Sequence, residues 1–415
     1  MINLLWRIAF IALCVPYGAI AAAADTVKLA YIVGLSGPYA LPGEERVKTF
    51  QLAADLVNAR GGVLGGKKIE IVALDNKGNP QEALIVLKQA IDQDIRFVSA
   101  SVSNIAHAVS DAVVKHNARN PDKQVIFLDL SGLDPALTEV NCNFWHFRFE
   151  AHSDMQVHVL TEYMAKQAPI KKVYLINQDY AYGQAVSHAA REMLATKRPD
   201  IQIVADELVP LGKVRDFAPY IAKIHASGAD SVLTGNWGPD LALLIKASNE
   251  AGLRATFYTV LATIPGTPSA IGSMGANRTK TVAPLTINSV DPKWEKIFLD
   301  GKGKYKALSN LDYLPSFRLI DMLATALNKV GSLDPLKVAA ALEGMHYAGP
   351  SGDSWMRTED HQMMVPIYLL SFVKAGQPGA KVDEEGTGYG WKTETLMSAK
   401  ETAPAIKCKM ERPTK

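Results

Sequence analysis

Catalysis or metal binding needs reactive side chains at set spacings, and this chain offers few. His146, His152 and His158 stand six apart, not at the i, i+4 spacing that puts two ligands on one helical face. The run Glu359–Gln362 has acid–base character but no visible partner. Gly34-Leu35-Ser36-Gly37 has the wrong spacing for a Gly-x-Ser-x-Gly nucleophile elbow. Gly61–Gly66, GGVLGG, suggests a phosphate loop, but it follows a helical stretch and precedes a strand-like one. A phosphate cradle requires the reverse order. No catalytic constellation, metal site or cofactor is therefore expected.

Small polar residues and aromatics gather elsewhere, at the ends of apolar runs. Leu35–Tyr39, Ser101–Asn104 and Ser131–Thr138 supply hydroxyls in the first half. Asn177–Gln184, Gly235–Asp240 and Val260–Gly266 supply Tyr180, Tyr182, Asn236 and Trp237 in the second. Ser103 and Asn104 stand where a helix begins, so free backbone N–H groups and the positive dipole end are on offer to an anion. In a closing cleft a carboxylate needs such donors, because burying an unpaired polar group costs on the order of 2–7 kcal/mol.

These loops must be held by elements that alternate. Strands are expected at Val27–Gly34, Ile69–Leu74, Ile95–Ser99 and Val125–Asp129, with helices at Glu44–Arg60, Pro80–Gln93 and Asn104–Asn117 between them. Glu44 and Glu45 suit the first turn of the first helix, and Gly61-Gly62 stops it. After Phe149 the alternation restarts and runs through Lys172–Asn177, Gln202–Leu208, Asp230–Gly235 and Thr256–Leu261. Strands separated by helices give an α/β fold of two doubly wound parallel-sheet lobes. No low-complexity linker divides them, so a hinge of several crossings is expected. One lobe takes 25–147 plus about 280–347, the other 148–279 plus about 348–400, and 401–415 forms a tail.

Met1–Arg7, the apolar run Ile8–Val15 and Ala21–Ala24 read as a secretory signal over 1–24. A membrane span needs roughly 20 apolar residues, and Pro16 interrupts this run. Leu13 before Cys14 disfavours a lipoprotein. The net charge of +2, with cations scattered, excludes a nucleic-acid surface. Cys142 and Cys408 remain after cleavage; in an oxidising compartment they are expected to pair, pinning the tail to the end of the first lobe.

The motifs GLSGPYA (34–40), LVNARGGVLGGKKIEIVALDNKGNP (56–80), DPALT (134–138), DYAYGQ (179–184) and LVPLGKVRDFAPYIAKIHASGAD (208–230) occur in order. Together they resemble the periplasmic substrate-binding proteins of Leu/Ile/Val-type ABC importers, the type I periplasmic binding proteins. The resemblance runs from about Val27 to about Tyr258 and more loosely to the end. It implies two lobes closing on a ligand, delivery to permease subunits in the inner membrane, a monomer in the periplasm, and no catalysis. The family's carboxylate-binding serine falls on Ser103, and its neighbouring backbone contact on Ser131 or Gly132. Its threonine there falls on Leu133, its tyrosine before Gly-Gln on Tyr182, and a further aromatic on Trp237. The acid that pairs with the ligand's ammonium falls on or near Leu261, with no Asp or Glu between Thr256 and Ile271.

That missing acid turns the expectation from an α-amino acid towards a carboxylate with an apolar or aromatic body, since a buried ammonium without a partner is heavily penalised. Ser103, Asn104, Ser131, Gly132, Leu133, Tyr182, Trp237, Leu261, Tyr39 and Asn236 are the candidate ligand-binding residues. A branched-chain amino acid or amide ligand, and a periplasmic sensor partnering a membrane receptor, are the alternatives.

Overall fold

The computed structural model describes residues 26–413, so the expected signal segment lies outside the described residues. Five strands, β1 (Thr26–Val33), β2 (Lys68–Asp75), β3 (Phe97–Ala100), β4 (Ile126–Asp129) and β5 (His146–Arg148), form a wholly parallel sheet in the order β2-β1-β3-β4-β5. Between them run α1 (Ala40–Ala59), α2 (Pro80–Asp92) and α3 (Ser103–Arg119). The strands read as unbroken apolar runs because helices cover such a sheet; Leu29, Ala30, Tyr31 and Ile32 are all fully buried.

The second lobe repeats the plan. Its helices are α4 (Ser153–Ala165), α5 (Ala181–Lys197), α6 (Ala218–Ser227), α7 (Gly238–Glu250) and α8 (Thr267–Gly275). Its parallel strands β6 (Lys172–Gln178), β7 (Gln202–Val209), β8 (Ser231–Thr234), β9 (Thr256–Thr259) and β10 (Thr279–Ala283) lie in the order β7-β6-β8-β9-β10. The chain then returns to the first lobe as α9 (Pro292–Tyr305), α10 (Leu314–Val330) and α11 (Pro335–Leu342), and α10 packs along α1. A small sheet of β11 (His346–Gly349), β12 (Gly352–Met356) and β13 (Met363–Met364) follows. Finally β14 (Ile367–Lys374) extends the second sheet antiparallel to β10, and β15 (Tyr389–Met397) pairs antiparallel to β14 at its edge.

Three expectations change. Residues 280–283 belong to β10, so the chain leaves the second lobe after about 284. The stretch 348–364, expected in the second lobe, joins the first, because Gln362 bridges to Arg148 at the sheet's edge and β11 packs on α10. The helix α1 starts at Ala40, which moves Glu44 and Glu45 out of the first turn. Glu45 is instead buried, 2.6 Å from Lys48 and accepting from the Ser309 N–H at 2.9 Å.

The lobes are joined by three crossings, near 149–153, 284–286 and 364–367. The first is tied by Arg318, which donates to the Phe149 carbonyl at 2.7 Å, and the third by Thr402, which donates to the Val365 carbonyl at 2.9 Å. Cys142 and Cys408 form a disulfide, with Cα atoms 5.8 Å apart. It fastens the tail to the first lobe, as expected from the cysteine count.

Candidate functional site

In an open parallel sheet the ligand edge lies where strand order reverses. That point falls between β1 and β3 in one lobe and between β6 and β8 in the other. The loops leaving β3, β6 and β8, with the first turns of the helices they open into, carry Ser103, Tyr180, Tyr182 and Trp237. Both lobes press a helix closely onto a strand end, and glycine permits it. A Cβ on Gly43 would stand 1.9 Å from the Gly34 carbonyl oxygen, and one on Gly183 1.9 Å from that of Gln178. The small residues that follow β1 thus let α1 crowd the edge, bringing Tyr39 and Arg46 to it.

A cavity lies between the two edges. Ser103, Ser131, Leu133, Tyr182, Trp237, Leu261 and Tyr39 line it, and Tyr180 joins them. Asn104 lines a smaller adjoining recess beside Val102 and Trp237. Gly132 is buried behind the wall: its N–H bonds the Asp129 carboxylate at 2.7 Å and its carbonyl accepts from Arg148 at 2.7 Å. Asn236 is fully buried and is not among the cavity residues; both polar atoms of its amide lack partners among the described residues.

The Ser103 hydroxyl accepts from the N–H groups of Leu133 and Asp134, each at 3.0 Å. Both its acceptor positions are filled, so the remaining proton is what it can offer a guest. The loop that supplies those N–H groups is held from behind by Arg148, whose buried guanidinium donates to the carbonyls of Gly132 (2.7 Å) and Asp134 (2.6 Å). Burial alone would raise the Asp134 carboxyl, but the bond from His107 at 2.7 Å, together with the Ala136 N–H, holds it below its ordinary value. Val102, just before Ser103, takes φ +74°, a costly conformation for a β-branched residue.

The opposite wall is aromatic. Trp237 donates its indole N–H to the Tyr180 hydroxyl at 2.9 Å, and Tyr39 from the first lobe packs on the Trp237 ring. Tyr182 is 1 % exposed and its hydroxyl has no partner among the described residues. Burial keeps both Tyr180 and Tyr182 protonated by pushing them well above the usual tyrosine range. They can therefore donate.

Sequence reasoning missed Tyr31, Arg46, Glu150, Gln156 and Tyr313, all of which line the cavity. Tyr31 and Ser101 share a hydrogen bond of 2.7 Å. Arg46 lies 3.1 Å from the centroid of the Tyr313 ring, and its charge acts on Glu150. Glu150 supplies an acid from the first crossing, far in sequence from the expected position near Leu261. Burial raises its carboxyl, opposed by the charge of Arg318 and a hydrogen bond from Tyr313. No group of three or more His, Cys, Asp or Glu able to hold a metal occurs among the described residues.

Residues 26–377 match the family model described as "Periplasmic binding protein". The chain belongs to that family. Its members are solute-binding components of ABC transporters, not enzymes, so this periplasmic binding protein takes a small-molecule ligand and works with importer membrane subunits. Over 413 residues the binding protein is 31 % identical to "Leu/Ile/Val-binding protein homolog 4" of Brucella melitensis, spanning 95 % of each chain. Its structure resembles the closed form of a leucine-, isoleucine-, valine-, threonine- and alanine-binding protein from Brucella ovis, with a TM-score of 0.83, 29 % identity, and coverage of 94 % of this chain and 100 % of that one. It shares the fold of a Rhodopseudomonas palustris solute-binding protein solved with 3,4-dihydroxybenzoic acid, with a TM-score of 0.77, 19 % identity, and 90 % and 98 % coverage. The two-lobed α/β expectation is thereby met.

Proposed function

We propose that this periplasmic binding protein captures a small carboxylate with an apolar, ring-bearing body and presents it, as a monomer, to its importer. The segment 1–24 is read as the leader that exports it. One observation carries this reading: the donor-rich lip around Ser103 and the aromatic wall of Tyr182 and Trp237 face a single cavity. Ser103 and the N-terminal turn of α3 offer donors to the carboxylate. Arg46, whose charge also acts on Glu150, adds a positive charge to the same space. The rings of Tyr39, Trp237 and Tyr182 cover the body. Both lobes touch the guest only when closed, so the guest shifts the population towards the closed form.

Glu150 favours a second reading, an α-amino acid whose ammonium it would meet. The Brucella ovis relative is named for amino acids. Against it, Glu150 already faces Arg318, Tyr313 and Arg46, which leaves it little unanswered charge. The Rhodopseudomonas palustris likeness is one of fold, so the ligand reading here rests on the cavity residues.

Isothermal titration of the protein with cinnamate, benzoate and leucine separates the two. Binding of the aromatic acids, weakened in Ser103→Ala, supports the first reading. Binding of leucine alone, lost in Glu150→Gln, replaces it with the second.

A further inference from the structure

Beside the ligand cavity lies a second, small compartment, and the two share Pro42, Arg46, Thr263, Pro284 and Tyr313 in their walls. Its far side is built by Asp312, Glu384 and Trp391, from the α9–α10 loop, the β14–β15 loop and β15. Trp391 is 1 % exposed, and its indole N–H has no partner among the described residues. Asp312 accepts from the Ile287 N–H at 2.7 Å, and Glu384 from the Asn310 amide at 2.9 Å. Each carboxyl retains further acceptor capacity.

We infer that this compartment receives a neutral hydroxyl or primary amide carried at the far end of the carboxylate ligand, accepting from Trp391 and donating to the Asp312–Glu384 pair. The inference rests on the reading of the cavity as a carboxylate site. The chemistry of the wall selects among end groups. A second carboxylate would face Glu45, Asp312, Glu384 and Glu385 at once. An ammonium would leave the indole N–H without an acceptor, and it would sit beside Arg46 at carboxyls already acted on by the charge of Lys302. A methyl or bare ring edge would leave donor and acceptors unpaired in a desolvated space. Only a group that both donates and accepts serves the whole wall. Burial, reinforced for Glu384 by the neighbouring Asp312, raises both carboxyls.

The test is a pairwise titration of the full-length mature protein with benzoate against 4-hydroxybenzoate, and cinnamate against 4-hydroxycinnamate. The wild type is expected to prefer the hydroxylated member of at least one pair by about fivefold, the scale of one or two net hydrogen bonds. In Trp391→Phe, which keeps the ring and removes the N–H, that preference falls to within about twofold. Should that variant fail to melt cooperatively, Glu384→Leu gives the same readout. It removes a buried acid while the Asn310 amide keeps its bond to the Asp383 carbonyl at 3.0 Å. Equal affinities within both pairs in the wild type overturn the second compartment and leave the carboxylate site standing. If no acid of either pair binds, the carboxylate site itself falls, and the inference with it.

Discussion

The Tyr39 ring of the first lobe lies 4.9 Å from the Trp237 ring of the second, tilted by 32°, and Trp237 passes its indole N–H to Tyr180 at 2.9 Å. This contact joins the two lobes beside the cavity that both rings line. Burial and the nearby Asp240 charge push Tyr39 up to about 12, so it remains a neutral ring throughout the physiological range.

Trp237→Ala should therefore weaken ligand binding about tenfold, since an aromatic pair contributes about 0.5–1.5 kcal/mol beyond the area it buries. Trp237→Phe, which keeps the ring contact but loses the bond to Tyr180, should fall between. Calorimetry measures both. Unchanged affinity in Trp237→Ala would remove Trp237 from the ligand-binding wall.

Ser103→Ala leaves the N–H groups of Leu133 and Asp134 without their shared acceptor. Unfolding in urea should show a loss of about 1–3 kcal/mol, and carboxylate affinity should drop in the same variant. Full stability would mean that the loop finds other acceptors.

Arg148→Met removes the clamp behind that loop. Four acceptors, the carbonyls of Gly132 and Asp134 and the side chains of Thr138 and Gln362, would lose a charged donor. The expected destabilisation is about 3–5 kcal/mol, the cost of breaking a buried charged network from one side. A melting temperature unchanged from wild type would contradict the clamp.

Reduction of the Cys142–Cys408 bridge releases a tail joined across 266 residues of sequence. Stability should fall by roughly 2–5 kcal/mol, read by thermal melting with and without reductant. Both cysteines lie away from the cavity walls, so ligand affinity should hold in the folded, reduced protein.

Asp154, at the start of α4, is pushed up to about 6 by burial and by the neighbouring Glu139 charge, with Lys407 opposing. Its folded value lies above its ordinary 3.8, so the folded state holds the extra proton between roughly pH 4 and 6. Its contribution is fully present below that window and lost as pH rises through it. Asp154→Asn should be more stable than wild type at pH 7 by about 1–2 kcal/mol and level with it near pH 4. Urea unfolding at the two pH values checks this; an equal difference at both would contradict it.

The lobes were legible because buried parallel strands are written as local apolar runs bounded by turn residues, as in Thr26–Val33 and Ser231–Thr234. His146–Arg148 was not: three residues, two of them charged or titratable, carry no periodicity, and the strand exists because Phe127 and its neighbours pair with it. The polar-interrupted Thr279–Ala283 escaped for a similar reason. Of the candidate site, Ser103, Tyr182 and Trp237 could be reached from the residues at strand ends together with the family resemblance. Arg46 and Glu150 could not, because they reach the cavity from a helix and a hinge crossing that only the folded chain brings together. An acid was sought near Leu261, whereas the one present enters from the other side.

The measurement that bears most directly on the account is a crystal structure of the complex with cinnamate. The account predicts closed lobes, carboxylate oxygens within hydrogen-bonding reach of the Ser103 hydroxyl, and the ring against Trp237 and Tyr182. A cinnamate whose carboxylate points away from Ser103, with its ring off the Trp237 wall, would contradict it.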